Sequence, residues 1–157
     1  MDIGTKTIPL DEGREVSYRP ITAADEPFLL EVYGSTRADE LALTNWSAAQ
    51  RDAFLQMQLT AQHAHYRQYY PKGELLIILL NGQPVGRLYV AEIAEEVRLI
   101  DVTVLPDARN AGIGTPIIKA LMAEAAALGK PLRIYVENYI RSHGLFVRLG
   151  FVKIGES

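Results

Sequence analysis

The apolar positions change period several times along the chain. Residues 75–80 form an unbroken apolar run, Leu-Leu-Ile-Ile-Leu-Leu, as expected of a strand covered on both faces. Asn81-Gly82 then supplies the strongest hairpin signal in the sequence, so residues 84–93 are predicted to return antiparallel. Glu95-Glu96 marks a turn into residues 98–105, a β-branched stretch ended by Pro106, which lacks a ladder N–H. The period then becomes helical: Ile117, Ile118, Leu121, Met122, Ala125 and Leu128 share one face. Pro116 fits only a first turn, Gly129 is a fitting C-terminal cap and Pro131 prevents continuation.

The remaining elements follow the same rules. Residues 15–19 alternate and read as a strand. Thr22, with Asp25 three residues on, caps a helix carrying Phe28, Leu29, Val32 and Tyr33, which Gly34 interrupts. Residues 35–42 read as a polar link. Ser47, with Gln50 at the capping-box position, starts a long helix that Pro71 and Gly73 stop; Phe54, Met57, Ala61 and Ala64 are its expected buried stripe. Residues 132–136 are a strand, 141–149 a short helix and 151–154 a last strand. Residues 1–13 read as a polar, flexible leader, either frayed or forming an edge strand. No internal repeat appears, and 157 residues make one domain, 1–157.

Composition narrows the function. There is no cysteine, so disulfides, thiolate metal sites and a cysteine nucleophile are excluded. The net charge is −3 and no Lys/Arg block occurs, which argues against nucleic acid as a partner. The longest apolar run is too short to span a bilayer, and residues 1–6 contain no signal-peptide core. A soluble cytoplasmic protein is the expectation. No His/Asp/Glu spacing suggests a metal.

The chemistry concentrates between Val104 and Thr115. Glycines at 112 and 114 strip side chains from the point where backbone N–H groups and a helix N-terminus converge, and Arg109 adds a cation. Such a turn suits a phosphate or pyrophosphate, although a plain strand-to-helix turn uses glycine too. A Walker loop fails because Thr115-Pro116 follows Gly114. A dinucleotide fingerprint needs a third small residue where Ile117 stands, and seven residues separate Val104 from Gly112; only Glu137 favours it, as a ribose-binding acid. The full segment, Val104-Leu105-Pro106-Asp107-Ala108-Arg109-Asn110-Ala111-Gly112-Ile113-Gly114-Thr115-Pro116-Ile117, resembles the acetyl-CoA-binding motif of the GNAT acetyltransferase superfamily.

The element order extends the resemblance over nearly the whole chain. It implies an α+β, three-layer α/β/α fold. Its mixed, mostly antiparallel sheet has six or seven strands, with a V-shaped split between the fourth (98–105) and fifth (132–136). It further implies an N-acetyltransferase moving an acetyl group from acetyl-CoA to a primary amine of a small molecule or peptide. Val102, Thr103 and Val104 would meet the pantetheine and acetyl end through their backbone. Arg109, Asn110, Ala111, Gly112, Ile113, Gly114 and Thr115 would hold the pyrophosphate, and Asn138 stands nearest the position of the family's cofactor-binding asparagine.

The resemblance breaks near the end of the chain. Arg148-Leu149-Gly150-Phe151 is intact, but Phe146 stands where the family places the tyrosine that protonates the departing thiolate. Losing such an acid costs about 10²–10⁴-fold in rate, although a thiolate leaves unaided far better than an alkoxide. The alternative is therefore an acyl-CoA-binding domain with weak or lost catalysis. Asp101 and His143 are the candidate bases, with Glu137 and His65 behind them. Asp101 could instead be a sheet-face carboxylate bonded to Arg98 or Arg133. His63 and His65 read as solvated, and Trp46 and Tyr69 as core or rim residues that could line an acceptor pocket. The sequence stops before a seventh strand, and an unpaired edge there would invite a second copy, a homodimer.

Overall fold

The computed structural model describes residues 1–109, 111–134 and 149–151. Six strands lie in sequence order across one sheet: β1 (Thr7–Pro9), β2 (Glu15–Pro20), β3 (Glu74–Leu80), β4 (Gln83–Glu92), β5 (Val97–Val104) and β6 (Leu132–Ile134). All neighbours pair antiparallel except β5 and β6, which run parallel. The hairpin between β3 and β4 turns at Asn81 and Gly82, both with positive φ (50° and 80°), as a primed turn requires. The predicted leader contributes the edge strand β1, and Ile3 before it is buried in the core. The predicted strand at 151–154 lies, beyond Phe151, outside the described residues, as does the helix at 141–148.

Helices cover both faces. On one side α3 (Gly114–Ala127) buries Ile117, Ile118, Leu121 and Ala125 against Val16, Leu76, Ile78, Leu88, Val90, Val97 and Leu99. Each such side chain contributes about 1.5–3 kcal/mol relative to exposure. Met122 and Leu128, predicted for the same face, are more than a third exposed. The helix ends in a Schellman motif: Gly129 N–H donates to Ala126 O (3.0 Å), Lys130 N–H donates to Ala125 O (3.0 Å), and Gly129 takes φ +68°.

On the other side lie α1 (Glu26–Ala42) and α2 (Ala48–Tyr69). Thr22 precedes a 3₁₀ turn (Ala23–Asp25) that leads into α1, and its N–H donates to Asp25 Oδ2 (2.8 Å). Gly34 does not interrupt α1, which continues through the expected polar link to Ala42. The glycine instead admits α2: a Cβ there would sit 3.2 Å from Leu55 Cδ1. The Ser47–Gln50 capping box forms as expected. The expected stripe on α2 is corrected: Leu55 and Leu59 are buried and Phe54 half-buried, whereas Met57, Ala61 and Ala64 face outward. The inward face continues through His63 and Tyr66, whose polar atoms disguised it.

A register shift sets which residues of β5 face which layer. Tyr89 pairs Asp101, but Val90 pairs Leu99, leaving Ile100 as the extra residue of a bulge. Val97 and Leu99 before it, and Val102 and Val104 after it, therefore all pack on the α3 side. Gly86 lets β4 approach the end of β5, since a Cβ there would fall 2.2 Å from Thr103 O.

Candidate active site

The predicted phosphate turn is built in three steps. After β5, Pro106–Ala108 form a 3₁₀ turn, with Ala108 N–H donating to Leu105 O (2.9 Å). Ala111 N–H donates to Ala108 O (3.1 Å), and the Arg14 guanidinium donates to Ala111 O (2.7 Å), pinning the loop to the connection between β1 and β2. Ile113 is buried, which anchors the start of α3. Between these anchors Gly112 takes φ +75°, and the space a Cβ would occupy there is open. No side chain caps α3, so its first-turn N–H groups have no side-chain acceptor from the N-cap residue. Backbone donors at a helix N-terminus beside a glycine without a side chain are the chemistry that anion binding uses. Arg109 donates through Nε to Val104 O (3.2 Å), joining this turn to the end of β5. Gly114 and Thr115 open α3. Asn110 lies outside the described residues.

The pairing of β5 with β6 runs from Val97↔Leu132 to Leu99↔Ile134. Residues 135 and 136, where the expected split would open, lie outside the described residues, as do Glu137, Asn138, His143 and Phe146.

The sheet face under α1 and α2 holds a cluster that sequence reading did not assemble. Arg87 and Tyr89, two apart on β4, stand opposite Thr103 and Asp101 of β5, so two-residue periodicity puts all four on one face. Arg87 is 2% exposed and forms an ion pair through Nη2 with Asp101 Oδ2. Thr103 Oγ1 donates to Asp101 Oδ1 (2.8 Å). The expectation that Asp101 pairs with Arg98 or Arg133 is thereby corrected. Both of those arginines go to buried Glu96, at 3.0 and 3.2 Å, at the far end of β5. Arg87 lies over the rings of Tyr89 (4.8 Å) and Tyr33 (5.5 Å). Burial would by itself lower the Arg87 guanidinium, but Asp101, with Tyr89 and Tyr66, holds it above its ordinary pKa.

His63, read from the sequence as solvated, joins this cluster: its Nε2 and the Tyr89 hydroxyl are 2.6 Å apart. Burial, then Arg87 and Arg67, push the His63 imidazole down to about 4, so at neutral pH it is uncharged. Its Nε2 can then accept from Tyr89, whose phenol burial pushes up to about 12. His65 does lie on the outer side, against Tyr69 (4.5 Å). Trp46, 39% exposed, packs on Phe54 (5.2 Å) at the rim, and Tyr69 is exposed. The missed signal was a charged residue and a tyrosine at alternate positions of an otherwise apolar strand. Among the described residues no group of three or more His, Asp or Glu could hold a metal, and no helix could cross a membrane.

Comparison with known proteins agrees with this architecture. Residues 40–151 match the family model described as "Acetyltransferase (GNAT) family". No curated protein matches the sequence. Among solved structures, a GCN5-related N-acetyltransferase from Ralstonia eutropha JMP134 superposes with TM-score 0.60 at 15% identity, over 90% of this chain and 95% of that one. The paia N-acetyltransferase of Thermoplasma acidophilum, crystallised in complex with coenzyme A, gives 0.58 at 16% identity over 87% and 89%. An acetyltransferase from Streptococcus agalactiae 2603 gives 0.59 at 21% over 92% and 86%. At these identities the likeness is one of fold.

Proposed function

Because the chain belongs to the GNAT acetyltransferase family, we propose that it is an acetyl-CoA-dependent N-acetyltransferase acting on a primary amine of a small molecule or peptide. The observation that carries the reading is the cradle at Gly112: open space, a positive φ and uncapped helix donors, tied through Arg109 to the end of β5. Residues 109–115 would hold the diphosphate of coenzyme A, and the backbone of Val102, Thr103 and Val104 its pantetheine arm. Acetyl-CoA supplies the activated acyl group as a thioester. A β5 amide near Val104 would polarise the acyl carbonyl, and the amine would attack it directly, with the coenzyme thiolate leaving.

The acceptor enters as an ammonium with an ordinary pKa near 10 and must lose a proton. Asp101 is the described group proposed to receive it, directly or through one water. Its oxygens accept from Arg87 and Thr103, and each keeps a second lone pair. Arg87 and Thr103 fix the carboxylate's orientation; Tyr89 and His63 in turn support Arg87. His143 remains a candidate on sequence grounds.

Phe146 favours a second reading, an acyl-CoA-binding domain with little turnover. Thiol release from acetyl-CoA, measured across a panel of amines, separates the two. Acceptor-dependent release supports the enzyme. Coenzyme binding without release supports the binding domain. Phe146→Tyr is expected to raise turnover if a proton donor is what the site lacks.

A further inference from the structure

Resting on the acetyltransferase reading, we infer that the acceptor carries an anionic group, a carboxylate several bonds from its amine, and that Arg37 of α1 reads it. Arg37 stands one helical turn beyond Tyr33, and its guanidinium lies 5.9 Å from both the Tyr33 and Phe54 rings. The Tyr33 ring is shared with Arg87, 5.5 Å away on the inner side, and Arg87 holds Asp101. The face under α1 and α2 therefore has an order. Asp101, negative, lies inside; Tyr33 lies between; Arg37, positive, lies out toward Phe54 and the partly exposed Trp46. The two charges match the two ends of a zwitterion, with an apolar stretch between them.

The two cations are not equivalent. The Arg87 charge is met by Asp101 within the sheet. Among the described residues the acid beside Arg37 is Glu40, one turn on, whose side chain is 65% exposed and lies 3.1 Å from Nε without aligning to its N–H. A solvent-exposed pair of that kind contributes little. Among the described residues the buried Arg37 Nε–H has no acceptor, nor has that of Arg51, one turn before Phe54 on α2. Arg37, beside the Phe54 ring, therefore has a guanidinium donor without an aligned acceptor among the described residues, and a carboxylate accepts from guanidinium in a bidentate geometry. An α-amino acid is too short for this arrangement, because several side chains separate Arg37 from Asp101. The class is an ω-amino acid, or a lysine-type side-chain amine with a distant carboxylate.

The test compares wild-type kcat/KM for three acceptors of equal chain length: 6-aminohexanoate, n-hexylamine and 1,6-diaminohexane. The carboxylate-bearing amine is expected to lead by about tenfold, the size of one charge-assisted contact. Arg37→Gln should bring the ratio of 6-aminohexanoate to n-hexylamine near unity. Glu40→Gln, which removes the competing acid, should widen it. Equal use of the three amines by the wild type would overturn the inference while leaving the acetyltransferase reading intact, as would a ratio that Arg37→Gln does not change. No thiol release with any amine, in protein that binds coenzyme A, would overturn both.

Discussion

The buried charge of Arg87 gives the clearest residue-scale expectation. Replacing Asp101 by Asn leaves a nearly inaccessible guanidinium without its counter-ion. Breaking one side of such a pair costs about 3–5 kcal/mol, so urea denaturation should show a loss of that order. Arg87→Met together with Asp101→Leu should recover much of it, because an apolar pair needs no compensation. Non-additivity in that cycle distinguishes a coupled pair from two independent losses. His63 gives a pH signature. Its folded pKa lies near 4, below the ordinary 6.5, so between those values the unfolded chain binds more protons than the folded one. Stability therefore rises with pH across that window and is lost as pH falls from about 6.5 to 4. Asp25, lowered to about 2 first by its hydrogen bond with Arg19, contributes stability lost only below about pH 4. His63→Gln can still accept from Tyr89 but does not titrate, so it should flatten the upper window and leave the lower one. A pH–stability curve identical to wild type would refute the lowered pKa that burial and Arg87 impose on His63. None of this cluster was legible along the chain, because it depends on strand register. The sequence places an arginine and a tyrosine on β4 and an aspartate on β5. Only the pairing of Tyr89 with Asp101 makes them neighbours.

At the scale of elements, the local signals were sufficient wherever the backbone itself is the message. Asn81-Gly82, the Ser47–Gln50 box, Pro116 and Gly129 are each chemistry that a particular turn or cap demands, and each stands where expected. Ser47→Ala should accordingly cost about 1 kcal/mol by thermal denaturation, the usual value of an N-cap. The readings that failed concern packing between elements. Gly34 looks like a helix breaker but is a contact point for Leu55, and tertiary packing overrides its weak propensity. The α2 stripe failed because two faces carry apolar residues of similar weight, and the inward one includes His63 and Tyr66. Gly86 reads as a strand weakness, yet it is where β4 meets the end of β5. Gly86→Ala would drive a methyl into the backbone of Thr103. A loss of about 2–4 kcal/mol is expected, together with weaker coenzyme binding, because the distorted strand end is the one Arg109 holds. Unchanged coenzyme affinity in that variant would separate β5 from the site.

For the whole molecule, the hydrophobic pattern located most of the described strands and helices, while their arrangement in layers on both sheet faces was what the family resemblance implied. What joins layer to function is whether the cradle binds, and linkage makes that a property of global stability. A ligand held only by the folded state stabilises it by RT ln(1 + [L]/Kd), about 2.7 kcal/mol at a hundredfold excess over Kd. In a chain of 157 residues that corresponds to a rise in Tm of roughly 5–10 °C. Coenzyme A should produce such a shift, and NAD should not, because the turn lacks the third small residue of a dinucleotide fingerprint. Gly112→Ala separates the cradle from the rest of the fold. A methyl meets nothing there, so the variant should lose only about 1–2 kcal/mol for its positive φ. It would nevertheless occupy the open space over the α3 N-terminus that the diphosphate needs. The variant should therefore fold, melt a few degrees lower, and respond to coenzyme A far less than wild type. An undiminished coenzyme response in Gly112→Ala would mean that the ligand sits elsewhere on the molecule.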